Sequence, residues 1–331
     1  MSEKKCKILA PLYLQSFKCT GSQCEDTCCQ GWTVYVNYDT YRKYQKIYDP
    51  ELKQILAKSV ARNRTTRDTR MYAKIKLAEN GFCPLMNKEN LCSLQLKKGE
   101  SYLSDTCSVY PRITNVVDGV YERSATMSCP EAARIALLDP KPLEFEQTEQ
   151  IADYRNTVSI RFDTQNEAFL NKPQRFFWNL RTFSISLLQN RNYELWERLT
   201  LLGLFFGKAQ EYSDNGKPDQ IPNLVETFTT LVNEGTLKES MKSIPVQDTL
   251  QMKLLKEISD RRLLRNVSSK RYLECYAEFL QGIGCLKSIS VEEMGHHYYT
   301  AYEEYYKPFM AQHSYILENY LVNHVFKVVF P

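Results

Sequence analysis

Apolar residues recur at helical spacing through most of the chain after residue 159. Between Trp178 and Tyr212 they follow a period near 3.6 residues, and the pattern predicts a kink around residues 190–192. The same periodicity predicts helices over 223–232, 248–265 and 270–282, before a tyrosine-rich segment over 291–330. We therefore expect the second half of the chain to be helical.

The first 140 residues show a different pattern. Short candidate strands lie at 33–37 and at 113–121, the latter around an Asp118-Gly119 turn. Helical stretches are predicted over 39–61 and over 131–138, where Pro130 stands at a helix-start position. We predict a mainly α protein, in which an irregular cysteine-rich metal-binding N-terminal module packs on an all-helical C-terminal domain. The linker around Pro140 places the module at residues 1–140 and the domain at 141–331.

The cysteine count bears on the cellular compartment. A chain of 331 residues buries its cores without disulfides, so its 11 cysteines are not needed as cross-links. No apolar run approaches the length of a membrane span, and no apolar signal segment follows the charged N-terminus. We therefore expect a cytoplasmic protein without membrane association. In a reducing compartment, clustered cysteines more often indicate metal binding or catalysis than disulfides.

The charge distribution argues against a nucleic-acid partner. The net charge is +4, and residues 1–140 contain 21 basic and 15 acidic side chains. This excess is too mild for the concentrated basic surface that nucleic-acid binding requires.

Eight cysteines fall in one part of the chain, and this clustering is the strongest chemical signal in the sequence. Four of them share the glycine-containing loop from Phe17 to Gly31, which lets several sulfurs turn toward one point. The predicted metal ligands are Cys19, Cys24, Cys28, Cys29, Cys83, Cys92, Cys107 and Cys129.

The donor type narrows the choice of metal. All four histidines lie near the C-terminus, so the predicted N-terminal site contains thiolates only, which suits zinc or an iron–sulfur cluster. The loop contains no CxxC pair of the kind that structural zinc sites use, which favours a 4Fe–4S cluster, with zinc as the alternative. Cys129 precedes Pro130 at an N-cap-like position, where a helix terminus stabilises a thiolate. The cysteines beyond the loop complete one cluster or build a second site.

Several of these segments resemble the flagellin lysine-N-methylase family. They are the run from Phe17 to Trp32, the Cys-Pro-Leu and Cys-Ser-Val-Tyr-Pro-Arg segments, and the ending from Glu318 to Lys327. The cysteine pattern alone is also similar to a broader group of zinc- or iron-chelating domains, and the ending makes the methylase resemblance more specific. The resemblance implies a bacterial methyltransferase that transfers methyl groups from S-adenosylmethionine to lysine ε-amines of flagellin, its protein partner, with a 4Fe–4S cluster taking part.

The mechanism stays open at this point. The 12 glycines form no Gly-rich strand-to-helix turn of the Rossmann type. Three cysteines with one open iron are one way to bind the methyl donor, but a CxxxCxxC motif starting at Cys24 requires cysteine where Gly31 stands. Radical cleavage and direct amine attack are both consistent with the sequence, and it assigns no catalytic residue.

The C-terminal tyrosines permit two interpretations. Tyr298, Tyr302, Tyr305 and Phe309 recur on one helix face, and we expect them to be core residues rather than a cation–π channel for a lysine chain. The alternative to an enzyme is a non-catalytic zinc- or iron–sulfur-binding module that docks on a protein partner. Binding of S-adenosylmethionine distinguishes the methyltransferase from the non-catalytic module.

Overall fold

The computed structural model describes residues 5–151, 157–264, 267 and 269–330. The chain divides into two compact units, one reaching Thr230 and including the chain from Tyr315 onward, and a second over Leu231–Ser314. The predicted mainly α character is confirmed. Among the described residues, no helix combines the length and apolar content that crossing a membrane would require.

The first unit contains two small sheets. Their strands are β1 (Lys5–Pro11), β2 (Val34–Val36), β3 (Val60–Arg62), β4 (Ala73–Ile75), β5 (Arg112–Val117), β6 (Val120–Ala125), β7 (Phe145–Ile151) and β8 (Val158–Phe162). The larger sheet has the order β7-β1-β6-β5-β8 and is mixed, since β1–β6 and β5–β8 are parallel and the other pairs antiparallel. The smaller sheet, β2-β4-β3, is antiparallel.

Helices account for most of the remaining structure. In chain order they are α1 (Tyr13–Ser16), α2 (Tyr38–Gln45), α3 (Pro50–Ser59), α4 (Ser93–Lys98), α5 (Asp105–Val109), α6 (Pro130–Leu137), α7 (Phe177–Leu188), α8 (Leu195–Asp214), α9 (Ile221–Glu234), α10 (Thr236–Met241), α11 (Asp248–Leu263), α12 (Lys270–Gly282), α13 (Val291–Ala301), α14 (Lys307–His313) and α15 (Tyr315–Lys327). A π-helical turn, Tyr302–Tyr306, joins α13 to α14.

The part of the chain beyond residue 140 is not all-helical, which corrects the sequence prediction. The strand β7 pairs with β1 from Phe145 against Pro11 to Ile151 against Lys5, and β8 pairs with β5. The larger sheet therefore joins segments from both sides of the predicted boundary at residue 140. The sequence of β7 is mostly polar and carries no strong period, so its backbone pairing with β1 decides its conformation.

Two predicted helical stretches are each divided in two. The stretch over 39–61 breaks before Pro50, where the Asp49 carboxylate accepts the Leu52 N–H at 2.8 Å and begins α3. The predicted kink near residue 190 is a complete break, because Glu194 and Glu197 form a capping box that begins α8.

The Asp118-Gly119 hairpin is confirmed. Both residues have positive φ, 47° and 81°, as a two-residue type I′ turn requires, and this turn joins β5 to β6. The Asp118 carboxylate also accepts the indole N–H of Trp178 at 2.7 Å and the Thr164 amide at 2.8 Å. The turn thus anchors the start of α7.

The C-terminal helix α15 packs through the core of the first unit. Its Asn323 accepts the Tyr13 hydroxyl at 2.7 Å and donates to the Ala125 carbonyl at 3.2 Å. Its Asn319 donates to the Asp139 carbonyl at 2.9 Å, and both asparagines are buried. Polar residues in the family-like ending therefore hold distant segments together.

Candidate metal centre

The cysteine loop lies between α1 and β2 and is attached to a second loop. The Gly31 amide donates to the Gly81 carbonyl at 3.1 Å, and the Cys83 amide donates to the Cys29 carbonyl at 2.7 Å. Both glycines have positive φ, which side chains rarely adopt, so each loop can turn sharply next to its cysteines. These bonds bring Cys28 and Cys29 beside Cys83.

Three cysteines of a first group pack against one hydrophobic core. Cys83, Cys92 and Cys107 all pack against the core that β2, β4 and α3 build, which includes Val36 and Leu52. The pKa of Cys107 is raised to about 12, mainly by burial and in smaller part by the nearby charges of Cys92, Cys83 and Cys28. We call Cys28, Cys83, Cys92 and Cys107 the first group.

Burial raises the pKa of the buried thiols in this group, and neighbouring polar groups act against it. The N–H groups of Gln95 and Leu94 lower the pKa of Cys92, the Leu85 N–H lowers that of Cys83, and the Ser104 side chain lowers that of Cys107. Burial is the larger effect and raises the pKa of all three thiols. The donors act in the opposite direction because they stabilise the thiolate, the form that binds metal.

Cys28 and Cys29 are adjacent in space as well as in sequence. A hydrogen bond between their sulfurs, followed by burial, raises the pKa of Cys28. The Cys28 carbonyl accepts the Trp32 indole N–H at 2.7 Å, which fixes the end of the loop.

A second group includes Cys129, which lies in a different core. Cys129 caps α6 without a side-chain cap bond and is buried with Tyr13, Phe17 and Ala132. Burial raises the pKa of Cys129, the N–H groups of Ala132 and Glu131 lower it, and the charges of Cys24 and Cys19 raise it further. We call Cys19, Cys24 and Cys129 the second group.

Tyr110 lies between the two groups. Burial raises its pKa to about 12, and charges on both Cys129 and Cys28 contribute in the same direction. Its ring centroid is 5.6 Å from that of Trp32, and its hydroxyl is 3.2 Å from the Ser128 Oγ. No sequence pattern singled out this tyrosine, although it lies in the Cys-Ser-Val-Tyr-Pro-Arg segment.

The eight predicted ligands thus lie in two neighbourhoods, with Cys29 next to Cys28, and their ligand role stays a prediction. Among the residues that the structure describes, no three His, Cys, Asp or Glu side chains are grouped as ligands of a single metal ion. The candidate ligands fit an iron–sulfur group in kind, because all of them are thiols. In a cluster each cysteine binds a different iron, so the sulfurs stand farther apart than around one ion.

The other cysteines lie elsewhere. Cys6 is on β1, with its sulfur 3.5 Å from the Gln150 carbonyl, while Cys275 and Cys285 belong to the second unit. Cys275 is exposed, which makes it a suitable control position.

The tyrosine face in the second unit is not a buried core, and the packing interpretation was wrong. Tyr305 and Phe309 are exposed by 68% and 53%, and Tyr298 and Tyr302 are only half-buried. The rings that contact one another are instead those of Tyr298, Tyr302 and Tyr306, with centroids 6.3 and 5.2 Å apart. We call these three residues the tyrosine ladder.

Comparison with known proteins identifies relatives of the chain. Residues 181–331 match the family model described as FliB lysine N-methylase C-terminal domain. The lysine-N-methylase of Salmonella typhimurium strain LT2 is 24% identical over 298 residues, which cover 87% of this chain and 71% of that protein. The lysine-N-methylase of Salmonella choleraesuis matches to the same extent.

A third relative has a flagellar name. The flagellar biosynthetic protein FliU of Salmonella muenchen is 26% identical over 167 residues, which cover 50% of this chain and 96% of that protein. No solved structure matches the chain. The resemblance drawn from the sequence is confirmed.

Proposed function

We propose that the protein methylates lysine ε-amines of flagellin with S-adenosylmethionine as donor, because residues 181–331 match the family model described as FliB lysine N-methylase C-terminal domain. The observation that carries the proposal is this match, together with the alignment of 87% of the chain to a lysine-N-methylase. The likeness to a flagellar biosynthetic protein supports a flagellar substrate.

We further propose that the N-terminal cysteines hold 4Fe–4S. When bound, such a group would supply one-electron chemistry and an iron able to bind the amino and carboxylate groups of the methyl donor. The chain's own contribution is to hold the thiolates, and the N–H donors at Cys83, Cys92 and Cys129 favour that charged form.

Tyr110 would act near these cysteines as a hydrogen-bond donor. Its hydroxyl keeps its proton at neutral pH, as an ordinary phenol does, and burial raises its pKa further, to about 12. A phenol in that state can orient a bound group, but it cannot take the proton that a lysine ammonium must lose before attack. We therefore assign Tyr110 a positioning role.

The tyrosine ladder would bind lysine side chains on the flagellin surface. Aromatic faces attract ammonium groups, and methylated lysine is bound in this way elsewhere. The adjoining Glu303 and Glu304 add negative charge, although Lys307 lies 2.8 Å from Glu303 and neutralises it in part. The π-helical turn of Tyr302–Tyr306 is also a feature that occurs often at functional sites.

A methylation assay tests the proposal directly. Protein prepared without oxygen is incubated with its cognate flagellin, a reductant and deuterated-methyl S-adenosylmethionine, and flagellin peptides are analysed by mass spectrometry. Labelled methyl groups on lysine are expected, and short lysine peptides should react poorly because they lack the remote contacts that position the amine.

The same preparation distinguishes radical chemistry from direct amine attack. It also distinguishes an enzyme from a non-catalytic metal-binding module. Release of 5′-deoxyadenosine that depends on the reductant supports radical chemistry, whereas methylation without it supports amine attack on the methyl group. Absence of label from every lysine, with iron-loaded protein that also fails to bind S-adenosylmethionine, would refute the enzyme and favour a metal-binding module.

A further inference from the structure

The positive charge of the chain is concentrated on one hairpin. The strands β3 and β4 pair from Val60 against Ile75 to Arg62 against Ala73, and the chain between them forms the connecting loop. We call residues 60–76 the basic hairpin. It contains six basic side chains and one acidic side chain, whereas the rest of the chain contains 37 basic and 38 acidic ones. All six basic side chains are exposed, and they are Arg62, Arg64, Arg67, Arg70, Lys74 and Lys76. The net positive charge of the whole chain therefore comes from this hairpin.

Polar side chains inside the loop fix its shape. Asn63 is buried, and its side chain donates to the Met71 carbonyl at 3.1 Å and accepts the Thr65 hydroxyl at 2.7 Å. The Asp68 carboxylate accepts the Arg70 amide at 2.8 Å and begins a short 3₁₀ turn. The loop is therefore held by its own hydrogen bonds, and the exposed basic side chains extend from an ordered backbone.

Most of this positive charge has no partner within the chain. Arg70 bonds Asp68 at 2.7 Å, so the one acidic side chain of the hairpin is already used. The Arg62 guanidinium lies over the Tyr72 ring, 4.5 Å from the centroid, a contact that supplies no carboxylate. In the described part of the chain, no salt bridge is formed by Arg62, Arg64, Arg67, Lys74 or Lys76. These five like charges repel one another, so carboxylates placed opposite them would stabilise the hairpin.

The surroundings favour the carboxylates of a protein over the phosphates of a nucleic acid or a membrane. Tyr72, the only aromatic residue of the basic hairpin, carries Arg62 on its face. Its ring also contacts those of Tyr38 and Tyr41, with centroids 5.0 and 5.2 Å away, so it is already packed, unlike the free rings on which bases stack. Within residues 49–95, all of which are described, no large apolar side chain is exposed that could enter a lipid layer. Arginine guanidinium groups suit carboxylates, which they bind through two parallel N–H bonds.

From this concentration of unpaired charge we propose that the basic hairpin is a docking surface for an acidic patch of flagellin. The proposal rests on the proposed function, and it adds a contact with the substrate apart from the lysines that are methylated. The hairpin repels lysine side chains, because both are positively charged. It would therefore bind carboxylates away from the reacting amine, and such remote contacts position a substrate. Electrostatic attraction of this kind acts mainly on the rate of association.

Charge reversal on the hairpin tests the proposal. The double variant Arg64→Glu/Arg67→Glu changes two exposed side chains without salt bridges, so it should fold like the wild type, which circular dichroism checks. Its association rate with cognate flagellin, measured by biolayer interferometry without methyl donor, should fall about 10-fold or more at low salt. The matched control is Lys253→Glu/Arg262→Glu, which makes the same change in net charge at exposed positions of the second unit. It should lower the rate far less, because it leaves the hairpin intact.

The dependence on salt is a second readout. Raising the salt concentration from about 50 to about 300 mM shortens the range of charge interactions, and it should slow association of the wild type strongly and that of the double variant little. Equal association rates of the double variant and the control, or no binding of flagellin by the wild type, would overturn the proposal. So would tighter binding, through the hairpin, of a duplex oligonucleotide or of phosphatidylserine vesicles at about 150 mM salt.

The binding measurement does not depend on catalysis. Flagellin that binds through the hairpin but is not methylated would refute the proposed function and leave the docking surface in place. Methylation by the double variant with an unchanged KM for flagellin would refute the docking surface and leave the proposed function in place. Failure of one proposal is therefore distinguishable from failure of the other.

Discussion

The Arg198 guanidinium lies 2.8 Å from the Glu318 carboxylate, and both side chains are almost completely buried. Arg191 bonds the same carboxylate at 2.9 Å from the exposed side. Arg198 also donates to the carbonyls of Leu188 and Tyr193, so it joins the end of α7, the start of α8 and the helix α15. The pair therefore connects segments that are far apart in sequence.

Replacing Arg198 by methionine should destabilise the first unit strongly. It leaves the buried Glu318 charge with the half-exposed Arg191 alone. Because a buried charge left with no partner costs about 3–5 kcal/mol, we expect a loss toward the lower end of that range. Urea unfolding followed by circular dichroism measures the loss. The control is Arg134→Met, which removes exposed pairs with Glu25 and Glu131 and should cost less than about 1 kcal/mol. Equal losses from both variants would contradict the structural role of the buried pair.

Removing the Tyr13 hydroxyl should also lower stability. That hydroxyl donates to Asn323 at 2.7 Å and accepts the Ala125 amide at 3.0 Å, within the core. Tyr13→Phe leaves buried polar groups unpaired, and we expect a loss of about 1–3 kcal/mol in the free energy of unfolding. Tyr48→Phe, at a side chain that is 92% exposed, should change nothing measurable. A Tyr13→Phe variant with an unchanged free energy of unfolding would show that water replaces the hydroxyl.

Metal removal should loosen the cysteine loops while the helical core persists. Residues 17–36 and 81–107 are held by short elements, so thiolate–metal bonds are expected to supply much of their order. Hydrogen exchange with mass spectrometry, before and after chelation, should show faster exchange there and little change in α8 and α15. Unchanged exchange in both loops would mean that they are ordered without metal.

The tyrosine ladder should determine affinity for the substrate rather than folding. Tyr302→Leu removes the central ring face, and a cation–π contact of about 0.5–2 kcal/mol corresponds to a rise in KM for flagellin of about 2- to 30-fold. Tyr302→Phe keeps the ring and should retain most of the affinity. The matched control is Tyr48→Leu, at an exposed tyrosine in the other unit. If Tyr302→Phe raises KM for flagellin as much as Tyr302→Leu does, the hydroxyl and not the ring face determines the affinity.

Local patterns of apolar and turn residues in the sequence determined many of the helices and strands. Helical periodicity predicted α11 and α12, and the Asp118-Gly119 pair predicted the β5–β6 hairpin, because apolar spacing and turn stereochemistry act within a few residues. The family resemblance also came from short runs, including Glu318 to Lys327, although only the structure shows that Glu318, Asn319 and Asn323 are buried structural residues.

The sequence also determined which residue types are available to a metal, since eight cysteines without a nearby histidine specify thiolate chemistry. It could not show that Cys83, Cys92 and Cys107 pack against one hydrophobic core whereas Cys129 lies in another. That placement depends on packing and on contacts such as the bond of the Cys83 amide to the Cys29 carbonyl, which join residues more than fifty positions apart. The polar strand β7 likewise gains its conformation only by pairing with β1. Long-range hydrogen bonds and packing on separate cores have no local signature, so the tertiary structure alone decided them.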